Sequence, residues 1–167
     1  MNMHEKTWHL QGEQQKASYN YKGCGLEDVF LVSGYDLEET PYGNGVRVRH
    51  IDKLHDAIGL FLVTNRKVLS GKELRFLRNQ MGFSQSELAR FMGCNAQQVA
   101  RYEKDQNEVP GPADRLIRLL YKDHVKETGP RLAIKKVLDT LDRLDDSKSA
   151  PMIFKQVDSN WKKAVGC

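Results

Sequence analysis

At 167 residues, with 40% hydrophobic and 29% charged residues and a formal net charge of +4, the chain can build one or two small cores. Its longest apolar run, Ile58 to Val63, is about a third of what a bilayer requires, and no signal peptide is readable, so neither a membrane span nor secretion is expected. Three widely spaced cysteines, Cys24, Cys94 and Cys167, imply no disulfide framework and fit a reducing cytoplasm.

Residues 1–18 are polar and lack a sustained period, which predicts a mostly disordered tail. From Tyr19 the pattern changes to short β-prone pieces, NYKGCG, DVFLVSGY, DLEET and GVRVRH, separated by Gly, Asn and Pro. They predict a small antiparallel sheet of three or four strands. Ile51, Leu54, Ile58, Phe61 and Leu62 then follow helical spacing, with Asp52 near the start, and predict one amphipathic helix over the sheet. The small α+β domain would span residues 19–65, and Thr64 to Leu69 would link it to a second, all-α domain.

Residues 70–125 read as four short helices. Ser70 with Glu73 opens the first, which carries Leu74, Leu77 and Met81 on one face. Ser84 with Glu87 opens the second as a capping box, hydroxyl and carboxylate each satisfying an otherwise orphaned backbone N–H. Leu88, Ala89 and Met92 form its inner face and Gly93 stops it. Asn95 with Gln98 repeats the device and opens the third helix. There Val99 and Tyr102 can face the core, leaving Ala96, Gln97, Gln98 and Arg101 outward. Amides and a guanidinium at a helix start are the chemistry that reads base edges in a major groove, so double-stranded DNA is the first partner to consider. Gly111, Pro112 and Asp114 open the fourth helix, whose Leu116, Ile117, Leu119, Leu120 and Tyr121 can close the core.

The stretch LRNQMGFSQSELARFMGCNAQQVARYEK resembles the Xre/Cro helix-turn-helix family. That resemblance implies that Gln85 anchors the DNA backbone and that the outer face of the third helix, with Gln97 and Arg101, reads bases. It makes Val99, Tyr102 and Glu103 structural. Asp105 departs from the family pattern, since many members have Gly after the recognition helix. The expected DNA-binding set is Ser84, Gln85, Asn95, Ala96, Gln97, Gln98, Arg101 and Lys104, and Arg75, Arg78 and Arg90 are further candidates for phosphate contacts. Charge agrees: residues 66–122 hold eleven Lys and Arg against six Asp and Glu, whereas residues 1–65 hold six against nine. Positive charge is concentrated where phosphate neutralisation would use it.

With NYKGCGLEDVFLVSGYDLEETPYGNGVRV ahead of that motif, residues 19–122 look like the MqsA/YgiT group of antitoxins and regulators. In its founding members the N-terminal half is a zinc module built from two Cys pairs, and it contacts a toxin. Here Cys24 stands alone in that region, without a C-x-x-C, and His50 and His55 could reach a metal only with its help, so no metal and no cofactor are expected.

Beyond Tyr121, Ile134, Val137, Leu138, Leu141 and Leu144 repeat at helical spacing, and after a break at Ser147 to Pro151 so do Ile153, Phe154, Val157, Trp161 and Val165. Residues 130–167 are therefore expected to form C-terminal helices. Their apolar row suits a homodimer seam, because two recognition helices one DNA turn apart would read an inverted-repeat operator. The histidines, at positions 4, 9, 50, 55 and 124, have no nucleophile or carboxylate constellation nearby in sequence, and no phosphate-cradling Gly loop follows a strand, so an enzyme is not expected. The leading expectation is a dimeric, autoregulatory, sequence-specific repressor, with or without the role of antitoxin in a toxin-antitoxin pair. The alternative is a protein-interaction antitoxin in which toxin neutralisation is primary and DNA binding subsidiary.

Overall fold

The computed structural model describes residues 7–8, 16–41, 43–125, 140, 143–144 and 151–164. The chain divides into two compact units, Met1–Ala57 with Ala150–Cys167, and Ile58–Ser149, and the fold is mixed α+β. Among the described residues no helix is long and apolar enough to cross a membrane.

In the first unit, strands β1 (Thr7–Trp8) and β2 (Lys16–Ala17) pair antiparallel. Strands β3 (Tyr19–Asn20) and β4 (Val29–Leu31) also pair antiparallel, and β5 (Tyr35–Thr40) and β6 (Gly43–Val48) form a separate hairpin. The chain then enters helix α1 (Ile51–Asn65). The second unit holds α2 (Gly71–Gln80), α3 (Gln85–Met92), α4 (Ala96–Glu103) and α5 (Gly111–His124).

The end of the chain corrects the helical expectation. Ile153, Phe154, Val157 and Trp161 lie not on a helix but on β7 (Met152–Val157) and β8 (Asn160–Lys163). Strand β7 runs parallel to β4, giving the order β3-β4-β7-β8, so the N-terminal sheet is mixed and takes half its strands from the C-terminus. Two residues join β7 to β8, Asp158 and Ser159, both at positive φ (49° and 62°), as a tight hairpin whose twist matches its strands requires. Val29, Leu31, Met152 and Phe154 are buried on one face of this sheet. Trp161, buried as well, donates its indole N–H to the carbonyls of Arg49 and His50, both at 3.2 Å, and lies so close over Gly34 that a Cβ there would meet the indole at 2.3 Å. It is a core residue of this unit. The expected helix over Ile134, Val137, Leu138 and Leu141 lies outside the described residues.

The predicted role of α1 changes too, because the division between units falls within it. Leu54 is buried and His55 Nε2 lies 3.0 Å from the Tyr21 hydroxyl, both in the first unit. Ile58, Phe61, Leu62 and Val63 belong instead to the helical unit. There Gly59 lets the Tyr121 ring approach so closely that a Cβ would stand 2.1 Å from it. The connection to α2 is held by Arg118 on α5. Its guanidinium, fully buried, donates to the carbonyls of Val63 (3.2 Å), Arg66 (2.7 Å) and Lys67 (3.2 Å) and pairs with Asp114 at 2.8 Å. A cation placed on carbonyls at and just beyond the C-terminal end of α1 complements the negative end of the helix dipole.

Burial holds the His55 imidazole below its ordinary pKa, against the opposing pull of Asp52 and Asp56, and pushes the Tyr21 phenol up to about 12. A histidine depressed in the folded state contributes stability that is present above its unfolded pKa of about 6.5 and is lost as pH falls through the folded value. The first unit, followed by the near-UV signal of Trp161, is therefore expected to melt at lower temperature as pH drops from about 7.5 to about 5. His55→Phe should flatten that dependence; an equally steep one in the variant would place the responsible proton elsewhere.

Candidate nucleic-acid interface

The interface is built from caps upward. Ser84 Oγ accepts from Glu87 N–H (3.1 Å) while the Glu87 carboxylate accepts from Ser84 N–H (2.7 Å), and these bonds hold the Glu87 carboxyl below its usual range. A cap of this kind contributes about 1 kcal/mol. Helix α3 ends at Gly93, which takes the left-handed conformation (φ 67°) that a Cβ would disfavour, and Cys94 N–H returns to the Ala89 carbonyl at 3.0 Å. At the start of α4 the Asn95 side chain accepts from Gln98 N–H at 2.8 Å. Among the described residues the reciprocal bond from the Gln98 side chain is not formed, so α4 has half of the box read from sequence.

Helix α4 is fixed by its inner face. Val99 is fully buried, Tyr102 and Glu103 nearly so. On the other side Gln97, Arg101 and Lys104 are exposed, and Ala96 and Gln98 half-exposed. Gln97, Ala100, Arg101, Lys104 and Gln106 line a shallow recess on that outer face. Ala100 and Gln106 were not among the expected residues. Ala100 could have been found from helical spacing, three residues after Gln97 on the same stripe. Gln106 could not, because its place depends on the turn after α4.

That turn resolves the departure at Asp105. Asp105 holds a left-handed φ of 55°, the conformation that Gly would supply and that Asp tolerates better than most residues. Its N–H bonds the Tyr102 carbonyl at 3.1 Å and Gln106 N–H the Arg101 carbonyl at 3.0 Å. Its carboxylate accepts from Gly71 N–H at 2.6 Å, so the negative charge is spent on the positive end of α2.

Under α3 and α4 lies a buried polar network. Arg78 on α2 grips the Glu103 carboxylate through Nε and Nη2 and donates from Nη1 to the Phe83 carbonyl at 2.7 Å. Gln85, the first residue of α3, donates its amide to the same carboxylate at 2.8 Å. Glu103 therefore orients Gln85 from within. Arg78, expected among the phosphate contacts, is instead a buried residue, 9% exposed, with all three guanidinium nitrogens engaged inside the unit. Arg75, Arg90 and Lys104 are exposed cations.

Cys24 directs its thiol to the Tyr21 carbonyl, burial pushes that thiol's pKa up, and His55 is engaged with Tyr21. Among the described residues no three His, Cys, Asp or Glu side chains gather as a metal site.

Residues 74–112 match the helix-turn-helix family. No curated protein and no solved structure matches the chain.

Proposed function

With a DNA-binding helix-turn-helix domain of Xre type at residues 74–112 as the premise, we propose that this protein is a sequence-specific repressor of its own promoter, working in the cytoplasm as a homodimer on an inverted repeat. One observation carries the reading: Gln97 and Arg101 stand exposed on the outer face of a helix whose inner face is locked by Val99, Tyr102 and Glu103. A rigid platform presenting an amide and a guanidinium suits bidentate readout of adenine and guanine. Ser84, Gln85, Asn95, Ala96, Gln98 and Lys104 surround it, with backbone N–H groups at two helix starts available to phosphate oxygens.

Gln97→Ala and Arg101→Ala are each expected to cost about 1–3 kcal/mol on the protein's own promoter fragment and little on random duplex. Equal loss on both DNAs would demote the residue to a phosphate contact, and no loss on either would move the reading face elsewhere.

The dimer seam is proposed for the apolar row Ile134, Val137, Leu138, Leu141 and Leu144, without Trp161. Charged residues at Leu138 and Leu141 should give a folded monomer in sedimentation, with promoter affinity reduced by roughly 10²-fold or more because the second half-site is no longer tethered. A dimer that survives both substitutions would place the seam on another surface.

The second reading, neutralisation of a toxin by protein contact, is favoured by the β5–β6 hairpin. Leu37 is 73% exposed there, opposite Val46, on the apolar side of strands whose other side carries the ion pairs Arg47–Glu38 and Arg49–Asp36. Co-expression with the product of the neighbouring open reading frame separates the two readings: a complex lost in Leu37→Asp supports the antitoxin, and its absence supports a stand-alone regulator.

A further inference from the structure

In the first unit three lysines that are in no ion pair among the described residues gather about the β7–β8 hairpin, whose loop carries one carboxylate, Asp158. In the β7–β8 register Lys155 stands directly opposite Lys162, and the next pair on the same face is Val157 with Asn160. Lys53, in the first turn of α1, donates to Asn160 Oδ1 at 3.4 Å, which brings a third ammonium beside the other two. Trp161, between Asn160 and Lys162, points the opposite way into the core. Among the described residues none of the three lysines is in an ion pair.

Like charges directly opposite on paired strands are destabilising. The neighbouring hairpin of the same unit avoids this, pairing Arg47 with Glu38 at 2.9 Å and Arg49 with Asp36 at 3.4 Å. Lysine on an edge strand is a known defence against unwanted strand pairing, and β8 is an edge, so that purpose accounts for Lys162. It does not account for Lys155, which is on the inner strand β7, or for Lys53, which is on a helix. What the three share is a place about one hairpin and a sign.

Three compact, mobile ammonium groups, with no guanidinium fork and no aromatic platform among them, suit a partner whose negative charge is regularly repeated and needs no shape-specific recognition. A duplex phosphate backbone is such a partner. Because this cluster is on the same chain as a DNA-binding domain, even a weak phosphate contact becomes intramolecular once that domain is bound. We propose that Lys53, Lys155 and Lys162 form a second, sequence-independent DNA-contacting surface that neutralises backbone phosphates. This rests on the helix-turn-helix reading and extends it to the other unit.

The test uses the full chain, wild type and a K53Q/K155Q/K162Q variant, titrated with the protein's own promoter fragment and with random duplex across a salt series. Each phosphate contact contributes about 0.9 to the slope of log K against log salt. The variant's slope is expected to fall by about 2–3 on both DNAs, with affinity down about ten-fold or more near 0.1 M salt, while preference for the promoter is kept. The arginine triple variant K53R/K155R/K162R should restore the slope, which a change in fold would not allow. A glutamine variant with the wild-type slope overturns the proposal alone and leaves the lysines as solvated edge protection or as a surface for an acidic protein. A wild type that binds neither DNA overturns this proposal together with the reading beneath it.

Discussion

Glu103→Ala is expected to destabilise the helical unit by about 3–5 kcal/mol, because it strands a buried guanidinium. Arg78 is 9% exposed and Glu103 8%, and the alanine would leave Arg78 with only the Phe83 carbonyl. Small domains are held by about 5–15 kcal/mol in total, so a loss of this size would bring the variant close to unfolding at room temperature. The prediction has an internal control. Replacing both partners, as in R78M/E103L, should recover most of the loss, since well-packed apolar side chains can substitute for a buried ion pair at little cost. Denaturant melts of the two single variants and the double variant decide it, and additive losses would mean that the pair does not act as a unit. Even where the double variant folds, Gln85 loses its partner at 2.8 Å and the start of α3 loses a fixed side chain. DNA affinity should therefore remain below wild type after stability has returned.

Arg118→Met should cost a similar amount, about 3–5 kcal/mol, for a different set of reasons. The side chain is fully buried, and removing its charge leaves three backbone carbonyls without their donor and Asp114 without its cation. Arg118→Lys is expected to rescue only part of this. One ammonium cannot reproduce a planar fork that serves Val63, Arg66, Lys67 and Asp114 at once. The variants should be compared by guanidinium-induced unfolding at one pH. A lysine variant as stable as wild type would show that charge alone, without the fork, holds the end of α1.

The contrast between these networks and the caps explains what the sequence makes legible. Ser70, Ser84, Gly93 and Asn95 act within four residues of themselves, and each has the partner that its spacing implies, apart from the missing second half of the Asn95 box. Inward Val99 and Tyr102 and outward Gln97 and Arg101 follow from the same short period. Arg78 is different. Nothing within a turn of it signals burial, because its partner lies 25 residues away, and on sequence alone a solvated or phosphate-facing arginine is the natural reading. Arg118 has one local partner at i−4, Asp114, but the carbonyls it reaches lie more than fifty residues earlier, and no local pattern signals its burial.

The C-terminal strands show the same limit at the level of secondary structure. Ile153, Phe154, Val157 and Trp161 fit a helical period, and the loop of their hairpin is Asp-Ser, without the Asn-Gly or Asp-Gly that marks such turns. Their conformation is settled by β4, more than 120 positions earlier, which offers Val29, Phe30 and Leu31 as a parallel partner. From its sequence alone, the protein's helix-turn-helix and the face of α4 turned to solvent were determined, because caps and a 3.6-residue period are local physics. Tertiary structure alone decided the strand that closes the N-terminal sheet, the division of α1 between two units and the burial of Arg78 and Arg118, because a strand's hydrogen bonds and a buried charge's partners are supplied by distant chain.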